Sequence, residues 1–310
     1  MIPMPGKSWI VPLPPLSARE RALRLEIERD VRTLAEGIGP RHRWRPVAYA
    51  RAAEFLESSL AAAGYTAERL PFQGHGHTFL NLEAVVPGAP SNRPALVVGA
   101  HYDSIHLGGE PDCPGANDNA SGVAAVLALA RSLVHSGRPI RFVFFANEEP
   151  PYFKTDLMGS LVYARACRAR GDRLRGAVCF DTIGCYRDQP GTQTYPGPLG
   201  RLYPDTGNFI AFVSNLRSAR LTRRLVGAFR KHATIASQGA AVPGSVPGVG
   251  FSDQWSFWTQ RYPGVLVTDT GPFRFPEYHT ARDTPDTVDF DRVARVVAGL
   301  DSVFGSDASC

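Results

Sequence analysis

Apolar residues recur along the chain with helical spacing in some stretches and in short, nearly continuous runs in others. Leu23, Ile27 and Val31 predict a first helix, which a capping box of Ser17 and Glu20 begins. Further helices are predicted over residues 47–63, 121–136, 159–170, 218–233 and 290–304. Strands are predicted over residues 65–72, 78–86, 95–103, 140–149, 176–184, 209–215 and 264–270.

The alternation of strands and helices predicts an α/β protein with helices on both faces of one sheet. Runs such as "ALVVGAHYD" are apolar at nearly every position, as strands buried on both faces are. We expect one domain over residues 1–310, in which residues 1–16 form an extended segment. Two Gly- and Pro-rich stretches, 186–208 and 237–250, lack either period and are predicted to be loop insertions, either rimming a pocket or disordered.

Composition and charge narrow the possible functions. The chain is 44% hydrophobic and 20% charged, which is typical of a globular protein. Its net charge of +5 comes from scattered residues without a dense basic stripe, so a nucleic-acid partner is not expected. No apolar run approaches the ~20 residues of a membrane span, and the N-terminal stretch lacks the apolar core of a secretory signal. A cytoplasmic monomer is therefore expected.

The cysteines do not form a metal-binding pattern. No pair has the CxxC spacing of a thiolate zinc site. Reduced, buried thiols are expected, and pairing of Cys179 with Cys185 is left open. The five cysteines are Cys113, Cys167, Cys179, Cys185 and Cys310.

Acidic and histidine side chains follow the apolar strands where these strands end. His101 and Asp103 end one strand, Glu148 and Glu149 end another, and Asp181 follows a third. In open α/β sheets, ligands bind outside the carboxyl ends of the strands. These side chains are therefore expected to converge at one edge of the sheet.

Two further residues belong with this set. Asp118 lies in the polar stretch "GANDNASG" just before a helix, and His279 follows the last strand. Converging carboxylates repel one another unless a cation neutralises them. Imidazole and carboxylate without thiolate suit zinc, cobalt or manganese. Two histidines and three carboxylates exceed the needs of one tetrahedral zinc, and they suit two ions that share a bridging carboxylate.

Six motifs carry a resemblance to a known family. In order and approximate spacing, residues 80–303 resemble the co-catalytic zinc aminopeptidases, a group that includes bacterial leucyl aminopeptidases and glutamate carboxypeptidases. The resemblance implies a three-layer α/β/α fold with a central mixed, mostly parallel sheet. The motifs are "HYDS", "GANDNASG", "FFANEE", "CFDTIG", "SDQWSFW" and "YHTARDTPDTVD".

The resemblance also implies a role for each residue of the set. Two Zn²⁺ ions are expected, with Co²⁺ or Mn²⁺ as substitutes. Asp118 would bridge both ions, and Glu148 would be the general base for a metal-bound hydroxide. His101 and Asp181 would complete one site, Glu149 and His279 the other, and Asp103 would orient the imidazole of His101, as carboxylates beside metal-bound histidines do.

The implied reaction is hydrolysis of the N-terminal peptide bond of a peptide with a free amino group. Phe251, Phe257 and Tyr278 are candidates for an apolar pocket that takes the first side chain. Gln254 stands where the family usually has histidine, a departure that bears on this pocket. Asp283 and Asp286 are expected to cap the last helix.

Three alternatives remain open at this stage. A glutaminyl cyclase-like enzyme shares the resemblance but typically binds one zinc ion. A carboxypeptidase for acidic C-terminal residues could use the same metal set. A binding module on an inactive peptidase scaffold would have lost ligands, and every ligand type is present here.

Overall fold

The computed structural model of the chain describes residues 2–306, and in them eight strands form one sheet. The spatial order is β1-β2-β4-β3-β5-β8-β6-β7. The strands are β1 Ala67–Gly74, β2 His77–Val85, β3 Ala95–His101, β4 Ile140–Phe145, β5 Leu174–Phe180, β6 Phe209–Ser214, β7 Ala236–Ala241 and β8 Gly264–Thr268.

The four central strands run in the same direction. Strand β3 pairs in parallel with β4 and β5, and β5 pairs in parallel with β8. Antiparallel pairs join β1 to β2, β2 to β4 and β6 to β8. The sheet is therefore mixed with a parallel centre, and the carboxyl ends of its central strands meet at one edge.

Helices cover both faces of this sheet. Helices α1, α2, α3, α5 and α8 pack over one face, and α4 and α6 pack over the other. Neighbouring strand residues such as Val97 and Val98 belong to separate apolar clusters because successive side chains point to opposite faces. The helices are α1 Ala18–Arg32, α2 Pro46–Ala62, α3 Gly122–Leu133, α4 Gly159–Ala169, α5 Ala219–His232, α6 Gln254–Thr259, α7 Gly271–Arg274 and α8 Phe290–Gly305.

The predicted three-layer α/β/α class is confirmed, and several boundaries differ. The strands predicted over residues 95–103 and 140–149 are shorter in the structure, because β3 ends at His101 and β4 ends at Phe145. The loop predicted over residues 237–250 is wrong in its first part, because Ala236–Ala241 forms β7 beside β6. Strand β7 consists of small and polar residues, so the sequence shows no alternation of apolar side chains there. Residues 186–208 do form a loop, with a 3₁₀ turn at Gly197–Arg201.

The N-terminal segment lies against β7 and α5 without forming a helix or strand itself. The Arg230 side chain donates hydrogen bonds to the carbonyls of Pro5 and Gly6, and the Ser237 N–H donates to Ser8 Oγ. No helix within residues 2–306 is long and apolar enough to cross a membrane.

The cysteines in the described part of the chain are free and buried. Cys179 and Cys185 are therefore not paired with each other, as expected for reduced thiols. Cys310 lies outside the described residues.

Candidate metal centre

Three neighbouring parallel strands present the first ligands at the same edge of the sheet. His101 is the last residue of β3, and Asp181 directly follows β5. Glu148 and Glu149 lie in the turn that follows β4. Non-glycine residues with positive φ flank these groups, with φ 56° at Asn147 before Glu148. Such sparsely populated conformations persist where the surrounding structure fixes the local backbone, often at functional sites.

The other two residues come from loops that fold over this edge. Asp118 lies in the polar turn Ala116–Ser121 that leads into α3, and the peptide bond between Asp118 and Asn119 is cis. His279 lies between α7 and α8 and has a φ of 55°. The positive φ turns the His279 backbone sharply, and its imidazole reaches the edge of the sheet.

The five predicted ligands lie together in two groups that share Asp118. His101 Nε2 is 3.4 Å from Asp118 Oδ1 and 3.6 Å from Asp181 Oδ1. His279 Nε2 is 3.1 Å from Asp118 Oδ2 and 3.4 Å from Glu149 Oε1. Within each group the ligand atoms lie within 4.8 Å of one another. One ion could therefore contact all three residues of each group, and Asp118 could contact both ions.

Several nitrogen and oxygen atoms of this centre that could bind a metal ion have no hydrogen-bond partner. His101 Nε2, His279 Nε2, Glu148 Oε1 and Glu149 Oε1 are buried and unpaired among the described residues. Buried polar atoms in folded proteins nearly always find a partner, so these atoms require an explanation. Divalent cations satisfy them, and a set of nitrogen and oxygen donors without thiolate fits zinc, cobalt or manganese.

The electrostatics of the centre show an excess of negative charge. Burial raises the pKa of Glu149 to about 7, helped by the charge of Asp118. Burial likewise holds the pKa of Glu148 well above its ordinary value. For His279, burial lowers the pKa, but Asp118 and Glu149 outweigh it and raise the pKa to about 10. Bound cations would relieve this repulsion between carboxylates.

Asp103 acts on the backbone rather than on the imidazole alone. Its Oδ1 and Oδ2 accept hydrogen bonds of 3.1 Å each from the N–H groups of Glu148 and Glu149. His101 Nδ1 lies 3.2 Å from the main-chain oxygen of Asp103 and 3.5 Å from Oδ1. The role of the Asp103 carboxylate in orienting His101 stays a prediction, since this carboxylate lies beside the ring, while the Asp103 carbonyl is the nearer partner and the carboxylate also holds the turn after β4.

Asp283 holds the loop that carries Asp118, and its prediction as a helix cap is wrong. Its carboxylate accepts hydrogen bonds from Asn117 N at 2.7 Å and Asp118 N at 2.9 Å. Asp289 caps α8 instead. Asp286 is exposed and forms an ion pair of 3.2 Å with Arg32, so it caps nothing either.

Two further supports of this loop were missed by sequence reasoning. The buried Arg41 guanidinium donates hydrogen bonds to the carbonyls of Tyr102, Pro114 and Gly115. Asp269, which follows β8, accepts a 2.9 Å hydrogen bond from the Asn117 side chain. Asp269 could have been noticed as one more acid after an apolar strand, whereas Arg41 gives no such signal.

An apolar cavity opens beside Asp181. Phe251 and Tyr278 line it, as predicted. Phe257 does not, because it is fully buried in the second apolar cluster with its ring 6.2 Å from that of Tyr163. Among the described residues that line the cavity, none is lysine or arginine. The cavity therefore suits an uncharged, apolar group.

A second cluster of metal-ligand residue types lies outside this centre. His42 Nε2 is 2.8 Å and His106 Nδ1 is 3.1 Å from Asp112 Oδ2. Their ligand atoms lie within 4.8 Å of one another. We refer to His42, His106 and Asp112 as the Asp112 cluster.

Comparison with protein families and curated proteins gives consistent matches. The model of peptidase family M28 matches residues 81–301. The uncharacterized protein YfbL of Escherichia coli K12 is 34% identical, over 94% of this chain and 90% of that protein. Leucine aminopeptidase 1 of Arthroderma otae is 25% identical over 79% of this chain, and the match spans 64% of its length.

Solved structures agree on the fold. The LapA aminopeptidase of Legionella pneumophila has a TM-score of 0.65 and 18% identity, covering 98% of this chain and 80% of that one. A glutaminyl cyclase of Tannerella forsythia has a TM-score of 0.66 and 20% identity, covering 94% and 100%. A Zn-dependent exopeptidase of Parabacteroides distasonis has a TM-score of 0.65 and 17% identity, covering 94% and 99%.

Proposed function

The chain belongs to peptidase family M28, and from this we propose that it is a metal-dependent aminopeptidase acting on peptides with an apolar first residue. The observation that carries the proposal is the pair of ligand groups that share Asp118, directly beside an apolar cavity. The two groups supply ligands for two ions, and the cavity has space for a side chain.

In this proposal His101 and Asp181 would hold one ion, Glu149 and His279 would hold the other, and Asp118 would be a ligand of both. The unpaired imidazole and carboxylate atoms of the centre are the donors. When bound, such ions supply Lewis acidity that activates a water molecule and polarises a carbonyl group. Asp103 and Asp283 keep the ligand loops in place through their backbone N–H groups.

Glu148 is proposed as the general base. Its Oε2 lies 4.0 Å from His101 Nε2, and its Oε1 is buried without a partner, so the carboxylate faces the space between the ligands. It accepts the proton of the attacking water and delivers this proton to the nitrogen of the departing amine. Burial raises the pKa of Glu148 above its ordinary value, and a higher pKa favours acceptance of a proton.

The apolar cavity takes the side chain of the first residue. Phe251 and Tyr278 form part of its wall. A carboxypeptidase would bind its acidic C-terminal residue on the departing side and not in this cavity, so an N-blocked peptide is needed to separate it from the aminopeptidase. The mostly apolar lining favours a leucine or phenylalanine side chain over glutamine, although Gln238 and Thr270 also belong to it.

A turnover panel tests the proposal. The substrates are Leu-, Phe-, Ala-, Gln- and Glu-anilides, an N-acetylated Leu-anilide, a peptide with N-terminal Gln and an N-blocked peptide with C-terminal Glu, each with and without chelator. We expect chelator-sensitive release of anilide from the Leu and Phe compounds and none from the blocked compound. Cyclisation of the Gln peptide without anilide hydrolysis would establish the cyclase instead. Release of C-terminal glutamate from an N-blocked peptide would establish the carboxypeptidase.

A further inference from the structure

Lys154 is one of only three lysines in a chain with 34 basic residues, the others being Lys7 and Lys231. It lies in the loop between β4 and α4, a few residues after Glu148. Its φ of 58° is in the left-handed region, which a side chain such as lysine rarely adopts. The surrounding loop therefore fixes the direction in which this exposed side chain leaves the backbone.

Aromatic rings surround the Lys154 ammonium group. Its Nζ is 4.9 Å from the ring centre of Phe153 and 5.4 Å from the ring centres of Phe251 and Trp255. Such contacts attract a cation and restrict the motion of its long side chain. Lys154 has no ion pair with any residue within 2–306, so its charge is available to a ligand.

The rings also place this ammonium group at the entrance to the candidate active site. Phe251 contacts Lys154 on one side and lines the apolar cavity on the other. Burial lowers the pKa of Lys154, while the negative charge of Glu148 acts in the opposite direction. Lys154 does not line the cavity for the first side chain, and its charge interacts with that of Glu148, the residue proposed to protonate the departing amine.

We propose that Lys154 binds a carboxylate group carried by the residue that departs. This inference rests on the proposed aminopeptidase function. When the first side chain occupies the apolar cavity, the departing residue lies on the Glu148 side, where Lys154 is a cation without an ion pair among residues 2–306. The carboxylate is either the C-terminal carboxylate of a dipeptide or the side chain of an acidic second residue, and both form the same charge-assisted hydrogen bond.

Matched substrates and variants test this subsite. Leu-Leu and Leu-Leu-amide differ only in the terminal carboxylate, and Leu-Glu-amide and Leu-Gln-amide differ only in the side chain. KM and kcat are measured for each pair with the wild type, Lys154→Met and Lys154→Arg. Lys231→Met, in the exposed last turn of α5, is the control for loss of one lysine.

We expect the wild type to have a lower KM for at least one carboxylate-bearing substrate than for its uncharged partner. Lys154→Met should remove this preference through a rise of about three- to tenfold in KM for that substrate, since a partly exposed ion pair contributes modestly. Lys154→Arg should keep most of the preference, and Lys231→Met should keep all of it. The pair that responds identifies which carboxylate is bound.

An unchanged preference in Lys154→Met, or equal KM values for both members of each pair in the wild type, would overturn the subsite while leaving the aminopeptidase in place. A wild type that hydrolyses none of the four peptides would overturn the proposed function and the subsite together. The two failures are thus distinguishable.

Discussion

The Asp112 cluster and the candidate metal centre both bring histidine and carboxylate side chains within reach of a cation. They differ in charge and in the hydrogen bonding of their carboxylates. In the Asp112 cluster one carboxylate faces two imidazoles. Its Oδ2 contacts both rings, and its Oδ1 accepts hydrogen bonds from Leu107 N at 3.0 Å and Cys113 N at 2.9 Å. All polar needs of this carboxylate are met by the protein.

In the candidate metal centre the carboxylates outnumber the imidazoles. Four carboxylates face two imidazoles, and an unpaired oxygen or nitrogen remains on Glu148, Glu149, His101 and His279. Residue type and proximity are thus shared by both clusters. His42 Nδ1 in the Asp112 cluster is also buried without a partner, so the candidate centre is distinguished by its surplus negative charge and its unpaired carboxylate oxygens.

The largest expected effect is loss of metal from the centre. Elemental analysis of the native protein should give about two zinc-like ions per chain, and a chelator should abolish turnover until zinc or cobalt is restored. Asp118→Asn should lower the metal content sharply, because both ligand groups use Asp118. Asp112→Asn is the matched control and should keep both ions. An active, well-washed protein without metal would contradict the assignment.

The next largest effect concerns the proposed base. Glu148→Gln keeps the size of the side chain but cannot accept a proton, so turnover should fall on the order of 10²–10⁴-fold. Metal content and thermal stability should stay near those of the wild type. Steady-state kinetics on Leu-anilide measure the change, and near-normal kcat would remove Glu148 from this role.

The smallest expected effect is a change in the free energy of unfolding caused by a substitution in the Asp112 cluster. Burial alone would raise the pKa of Asp112, but hydrogen bonds from Leu107, His106, His42 and Cys113 outweigh it and lower the pKa to about 2. A carboxylate with a lowered pKa stabilises the fold above its unfolded pKa, near 4, and loses this contribution as pH falls towards 2. Asp112→Asn should therefore cost about 2 kcal/mol at pH 7.

Urea unfolding of metal-free wild type and Asp112→Asn between pH 7 and pH 3 measures this difference. The difference should be constant between pH 7 and pH 5 and shrink below pH 4. A difference that grows as the pH falls from 7 to 5 would attribute the stabilisation to protonated histidines instead.

The convergence of His101 and Asp181 could be predicted because both residues interrupt an apolar pattern at the end of a strand. His101 and Asp181 end strands that are otherwise apolar, and parallel strands bring their carboxyl ends to one edge. The same reasoning could not identify β7, whose residues are small and polar and whose strand is fixed by pairing with β6. Tertiary pairing there overrides the local pattern.

Phe257 and Asp283 show a second limit. A phenylalanine in a motif beside the site can face either the cavity or the core, and the face of α6 that is buried decides for the core. Asp283 binds backbone N–H groups that lie far away in the chain. Because every residue but proline has such a group, the sequence of the partner segment carries no mark of this contact.

The contacts made by Asp103 and Asp283 have a consequence for how this architecture changes over time. Both carboxylates accept hydrogen bonds from main-chain N–H groups of residues 117–118 and 148–149. Every amino acid except proline provides this group. These hydrogen bonds therefore do not depend on the functional groups of Asp118, Glu148 and Glu149. A substitution of one of these three side chains leaves this part of the loop support available, so the chemistry of the site can change while these backbone contacts remain.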